Sequence, residues 1–135
     1  MILGIDISTS CTGFCVLNSE GKAIHFSCVE LSKEKNFNKK VENVRIKISN
    51  ILKDYEIQDI VVEESLQSFR RGLSSAATLF KLAKFNGIIQ WLCYDNFQMI
   101  TTAINVNTAR KLNNIKVNKK IDKSIKDQVL DVVKE

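Results

Sequence analysis

Two short stretches of the 135-residue chain place acids where a folded protein can keep them only with help. Ile2-Leu3-Gly4-Ile5-Asp6-Ile7 is an apolar run broken near its end by Asp6, and Ile60-Val61-Val62-Glu63-Glu64 is a second run that stops on two glutamates. Runs of this length suit buried central strands. A carboxylate at the end of such a strand is costly unless something pairs with it, and a divalent cation would. Asp6 has an alternative role, capping the polar loop Ser8-Thr9-Ser10-Cys11-Thr12 through backbone amides. If the two strands are neighbours, Glu63 faces Asp6, and two adjacent carboxylates repel unless a cation neutralises them. Hard oxygen donors favour Mg²⁺ or Mn²⁺. One histidine (His25) and no Cys-x-x-Cys pair argue against zinc. Glu64 reads as a solvated strand-end charge, with ligation as its alternative.

Charge is divided unevenly along the chain. Residues 1–67 hold eight basic and ten acidic residues, and residues 68–135 hold twelve and five, for a net +5 overall. A basic half suits a polyanion such as nucleic acid; the competing reading is a solvated lysine-rich surface. The candidate contacts are Arg70, Arg71, Lys81, Lys84, Arg110, Lys111, Lys116, Lys119, Lys120, Lys123 and Lys126. Lys81 and Lys84 lie on one helical face. Arg70 and Arg71 sit in a loop close in sequence to Glu63, and Phe69 in that loop either wedges against a base or packs locally.

The rest of the chain supplies the frame. Its length predicts one domain over 1–135. Apolar content of 44% and charged content of 26% are globular values, so an ordered chain is expected. No apolar run reaches the roughly 18 residues of a membrane helix, and the N-terminus lacks a secretory leader. Cys11, Cys15, Cys28 and Cys93 read as free thiols of a reducing, cytoplasmic protein, with Cys15 and Cys28 buried in strands. Absent proline and abundant Lys, Asn and Ile point to an AT-rich coding genome, as in a virus.

Alternating and helical periodicities predict strands over 1–7, 13–17 and 22–31, the first pair leading into a hairpin turn at Asn18-Ser19-Glu20-Gly21. A helix over 35–54, a strand over 59–63 and a loop over 65–73 follow. A long helix capped by Ser74 or Ser75 runs to Tyr94. A fifth strand over 97–101 and helices over 107–112 and 123–134 complete the order. Ala76, Ala77, Ala83 and Gly87 mark close packing on the long helix. Phe80–Phe85 fits either a dimer helix or core, and Trp91 is read as core. The expected class is α/β: a mixed five-stranded sheet, with a three-stranded antiparallel meander plus two further strands, and helices on both faces.

Ile2-Leu3-Gly4-Ile5-Asp6-Ile7-Ser8-Thr9-Ser10-Cys11-Thr12-Gly13 resembles the first hairpin of the RuvC-type Holliday-junction resolvases, members of the ribonuclease H-like superfamily. Val61-Val62-Glu63-Glu64 resembles the strand that carries their catalytic glutamate. Arg71 to Thr78 and Asn86-Gly87-Ile88 look like the following helix, and Asn107 to Lys111 and Asp122 to Val129 like the late basic segment. The resemblance implies a metal-dependent, structure-specific endonuclease that resolves Holliday junctions or other branched DNA, acting as a homodimer. It implies Asp6 and Glu63 as catalytic metal ligands. Asp6 would bridge two Mg²⁺ ions about 3.5–4 Å apart that activate water and stabilise the leaving 3′ oxygen. The family carries further acids in a final helix, and the chain ends at Glu135 ahead of that pattern. Asp127 and Asp131 lie in the preceding helix and do not match it, although Asp127 is a substitute candidate. Truncation, or descent into a non-catalytic DNA-binding relative, is the expectation this raises, with weak Mg²⁺ binding and poor cleavage. A lobe of an actin-like ATPase or sugar kinase is the other reading; Ser8 stands where that group has glycine.

Overall fold

The computed structural model describes residues 1–65 and 75–116, together with Ser124, Asp127 and Gln128. Three strands open the chain, β1 (Ile2–Asp6), β2 (Cys11–Leu17) and β3 (Ala23–Glu30), followed by helix α1 (Phe37–Asp54) and strand β4 (Asp59–Glu63). Helix α2 (Ala76–Phe97), strand β5 (Thr101–Ile104) and helix α3 (Val106–Leu112) complete the described elements.

The strands form one sheet in the order β3-β2-β1-β4-β5. β2 runs antiparallel to both β1 and β3, whereas β1 and β4 are parallel. The α/β class and the mixed five-stranded sheet are as the sequence predicts. Asn18 organises the β2–β3 turn: its side-chain oxygen accepts from the Glu20 and Lys22 amides at 3.0 and 2.9 Å. Gly21 takes φ 76°, which favours glycine.

Strand alternation puts Leu3, Ile5, Phe14, Val16, Ile60 and Val62 on one face, all buried. Val44, Ile48 and Ile51 of α1 and Phe85, Ile89, Leu92 and Cys93 of α2 complete this core. Phe37 and Phe85 meet edge to face where the two helices touch. Both described helices of this part therefore cover the same face of the sheet. The opposite face, carrying Gly4, Asp6, Gly13, Val61 and Glu63, has no helix among the described elements of residues 1–103. Asn36 caps α1 by accepting from Lys39 N, and Ser75 caps α2 by accepting from Thr78 N, each at 3.1 Å.

Residues 1–103 and 104–135 form two compact units. In the second, Asn105 caps α3 by accepting from Asn107 N at 2.9 Å. The predicted loop over 65–73 falls outside the described residues beyond Ser65, and the predicted helix over 123–134 does so apart from Ser124, Asp127 and Gln128. Among the described residues, no helix is long and apolar enough to cross a membrane.

Four expectations need correction. α2 runs on to Phe97, and the fifth strand begins at Thr101 instead of Phe97. Phe97 and Met99 are apolar because they pack against the core, not because they pair in a sheet. Cys28 is exposed and Cys15 only half-buried, because both lie on the sheet face that α1 and α2 leave open. Trp91 is 61% exposed on the outer side of α2. Ala76, Ala77, Ala83 and Gly87 are exposed, and a methyl group built on Gly87 would meet nothing within 4 Å.

Candidate active site

The two acids come together through strand pairing. Ile5 is level with Val62 in the parallel β1–β4 pair, so Asp6 and Glu63 are the next residues of each strand and share the open face. Both are exposed at the strand ends. On its other side Asp6 is level with Gly13, where a Cβ would lie 3.8 Å from the Asp6 Cβ. A glycine here leaves one flank of the carboxylate open to a ligand.

The loop after Asp6 is held by its own hydrogen bonds. The Thr12 hydroxyl, buried on the core face, donates to the Ser8 carbonyl at 2.8 Å and accepts from the Ser8 amide at 3.3 Å. Leu31 N donates to the Ser10 carbonyl at 2.8 Å. Lys40, on α1, buries its stem and donates from Nζ to the Thr9 carbonyl at 2.5 Å. The β4 end is held from α2: Asn86 Nδ2 donates to the Glu63 carbonyl at 3.0 Å.

Soft donors lie on the same face. Gly13 is level with Cys28 and Cys11 with Glu30 on β3. Partial burial, then the Cys28 thiol and the negative charges of Glu30 and Asp6, push the Cys11 thiol up. Hydrogen bonds from Ser32 hold the Glu30 carboxyl below its ordinary value. The carboxylates of Asp6 and Glu63, exposed at the strand ends, supply hard oxygen donors. Two carboxylates on one face, with backbone clamped beneath both, fit a hard divalent ion such as Mg²⁺ or Mn²⁺. Among the described residues, no group of three or more His, Cys, Asp or Glu side chains could hold a metal ion.

The remaining candidates are dispersed. Glu64 follows β4 and is half-buried. Lys81 and Lys84 are exposed on α2, and Lys84 Nζ lies 5.2 Å from the Phe37 ring centroid, a cation–π contact. Arg110 is half-buried and Lys111 exposed on α3, and Lys116 is exposed beyond it. Asp127 is exposed and pairs reciprocally with Ser124, whose hydroxyl donates to its carboxylate at 2.6 Å. Phe69, Arg70, Arg71, Lys119, Lys120, Lys123 and Lys126 lie outside the described residues. Sequence reasoning gave no role to Lys40 or Asn86. Their signal was a polar residue on an otherwise apolar helical stripe: Asn86 lies three and seven residues from Ile89 and Cys93, both buried.

Known structures share the architecture. Thermus thermophilus RuvC in complex with a Holliday junction substrate is similar at 14% identity and TM-score 0.69, over 98% of this chain and 78% of that one. The yeast mitochondrial Holliday junction resolvase is similar at 17% identity and TM-score 0.58, over 96% and 60%. A Cytophaga hutchinsonii protein described as a sugar kinase matches at 20% identity and TM-score 0.58, over 88% of this chain and 40% of its own. These likenesses establish the fold, which both groups use. No curated protein sequence matches the chain significantly. What separates the groups is the family model for crossover junction endodeoxyribonuclease RuvC, which matches residues 2–135. The chain therefore belongs to the RuvC family of endodeoxyribonucleases, the Holliday-junction resolvases.

Proposed function

We propose that the protein cleaves Holliday junctions or related branched DNA by metal-dependent phosphodiester hydrolysis at the Asp6–Glu63 pair. The observation that carries this is the register of β1 and β4, which brings two carboxylates to one open face at the strand ends. A divalent ion held there supplies the charge that activates water and stabilises the leaving 3′ oxygen. Asp6 and Glu63 hold that ion, Mg²⁺ or Mn²⁺, and the Ser8–Thr12 loop fixes the backbone beside it. Glu64 and Asp127 are further candidate acids.

Positive charge binds the DNA. Lys81 and Lys84 on α2 and Arg110, Lys111 and Lys116 in the second unit offer phosphate contacts, with Arg70, Arg71, Lys119, Lys120 and Lys123 proposed alongside them. Phe69 is proposed to stack at the junction. The protein acts as a homodimer through the outer face of α2. There Phe80, Ala83, Gly87, Trp91 and Tyr94 recur three or four residues apart, and all are exposed. Such a stripe on an already packed helix marks an interaction surface. We also place the protein in a reducing, intracellular compartment, where its thiols remain free.

The test is a synthetic four-way junction incubated with the protein in Mg²⁺, in Mn²⁺ and in EDTA, beside a linear duplex of the same sequence. Slow nicks confined to the junction and abolished by EDTA are expected. Junction binding without a nick at any metal concentration would contradict the catalytic reading.

A further inference from the structure

Polar groups are scarce inside the first unit, and their placement follows a pattern. Among the described residues of 1–103, the buried polar or charged side chains are Thr12, Lys40 and Asn86. All three bond to backbone beside the paired acids: Thr12 to the Ser8 carbonyl, Lys40 to the Thr9 carbonyl, and Asn86 to the carbonyl of Glu63 itself. Asn86 is the most elaborate of the three. Its Oδ1 accepts from Gln90 Nε2 at 2.5 Å, and Gln90 Oε1 accepts from the Thr101 hydroxyl at 3.0 Å.

We propose that Asn86 is a positioning residue for Glu63, held in place by Gln90 and Thr101. The proposal rests on the reading of Glu63 as a metal ligand. The chain of bonds has one direction: Thr101 donates to Gln90, Gln90 to Asn86, and Asn86 to the Glu63 carbonyl. Each amide uses its NH₂ group toward the site and its oxygen away from it, so a flip of Asn86 would lose both of its bonds and a flip of Gln90 would lose its bond to Asn86. Bonds aligned this way polarise one another. A leucine at position 86 would continue the apolar stripe of Phe85, Ile89 and Leu92 without desolvating an amide. The amide is instead aimed at the carbonyl of Glu63, and so fixes one of the two peptide planes that flank its Cα. Three elements, α2, β5 and β4, thereby converge on one ligand.

The experiment titrates Mn²⁺ alone into the full chain by calorimetry, for wild type, E63Q, N86L, T101V and T101S, with a thermal melt of each. Outer partners of metal ligands typically contribute 10–100-fold in affinity, so N86L should weaken Mn²⁺ binding by about tenfold or more while its gel shift on a four-way junction is kept. T101V should weaken binding by less, and T101S, which retains the hydroxyl, should restore it. A folded N86L with wild-type Mn²⁺ affinity, beside an E63Q that has lost it, overturns the positioning role and leaves the ligand reading intact. An E63Q with unchanged affinity overturns both. Where N86L does not fold, the threonine pair decides: equal affinity in T101V, T101S and wild type overturns the proposal.

Discussion

Asp6 and Glu63 lie 57 positions apart in the chain and become neighbours only through β-pairing. Their candidacy was legible because each closes an apolar strand; in the structure both are exposed, so it is their pairing across β1 and β4, not a burial cost, that sets them together. Asn86 was not legible in the same way. An amide within an apolar helix gains meaning only once the buried face of that helix is known. The cysteines show the same limit: Cys28 sits among apolar residues in sequence, yet β3 is an edge strand with alternate residues exposed. Burial pushes the Cys93 thiol up to about 11, and its side chain is inaccessible. At pH 8 roughly one Cys93 in a thousand is then thiolate. Raising the pH toward 11 progressively forms the thiolate that burial disfavours, so reactivity should climb with pH. A disulfide-exchange reagent at pH 8 should therefore label exposed Cys28 first, and Cys93 only when denaturant is added. C28S should remove the fast phase, and rapid labelling of Cys93 in the folded protein would contradict its burial.

Most elements were readable because their periodicities are strong and their turns carry the right chemistry. The strand over 59–63 is found as predicted, and the Asn18–Gly21 turn and the Ser75 cap follow from residue type. The end of α2 was misread because no glycine announces it. Gln98 closes the helix in the left-handed region at φ 53°, and its amide donates to the Tyr94 carbonyl at 2.9 Å. Left-handed backbone disfavours a side chain by roughly 1–2 kcal/mol, partly offset by the extra freedom of glycine in the unfolded chain. Q98G should therefore stabilise the protein by up to about 1 kcal/mol in chemical denaturation. A loss of stability would mean that the side-chain bond from Gln98 Nε2 to the Asp95 carbonyl matters more than the backbone preference.

The molecule combines an acidic first half with a basic second half, and α2 leaves an apolar stripe uncovered. The charge division was legible by counting, whereas the stripe was not. Trp91 and Phe80 recur at the spacing of core residues, and only packing shows that Phe85, Ile89 and Leu92 take the inner face instead. Phe80 is 75% exposed and Trp91 61%, so replacing both with glutamate should leave the fold intact. The wild type should sediment as a dimer and the double variant as a monomer. An unchanged sedimentation coefficient would move the dimer contact elsewhere. Binding to a junction should weaken steeply with salt, with a log–log slope of about −0.9 for each phosphate neutralised.

We propose the Asp6–Glu63 pair as the cleaving centre and the basic residues as DNA contacts. Single-turnover nicking of a four-way junction in Mn²⁺, with wild type and D6N at protein concentrations that give equal gel shifts, tests it most directly. D6N removes one carboxylate of the pair while leaving the basic residues in place. D6N should bind the junction as wild type does and produce no nicks. Nicking by D6N at the wild-type rate would contradict the account.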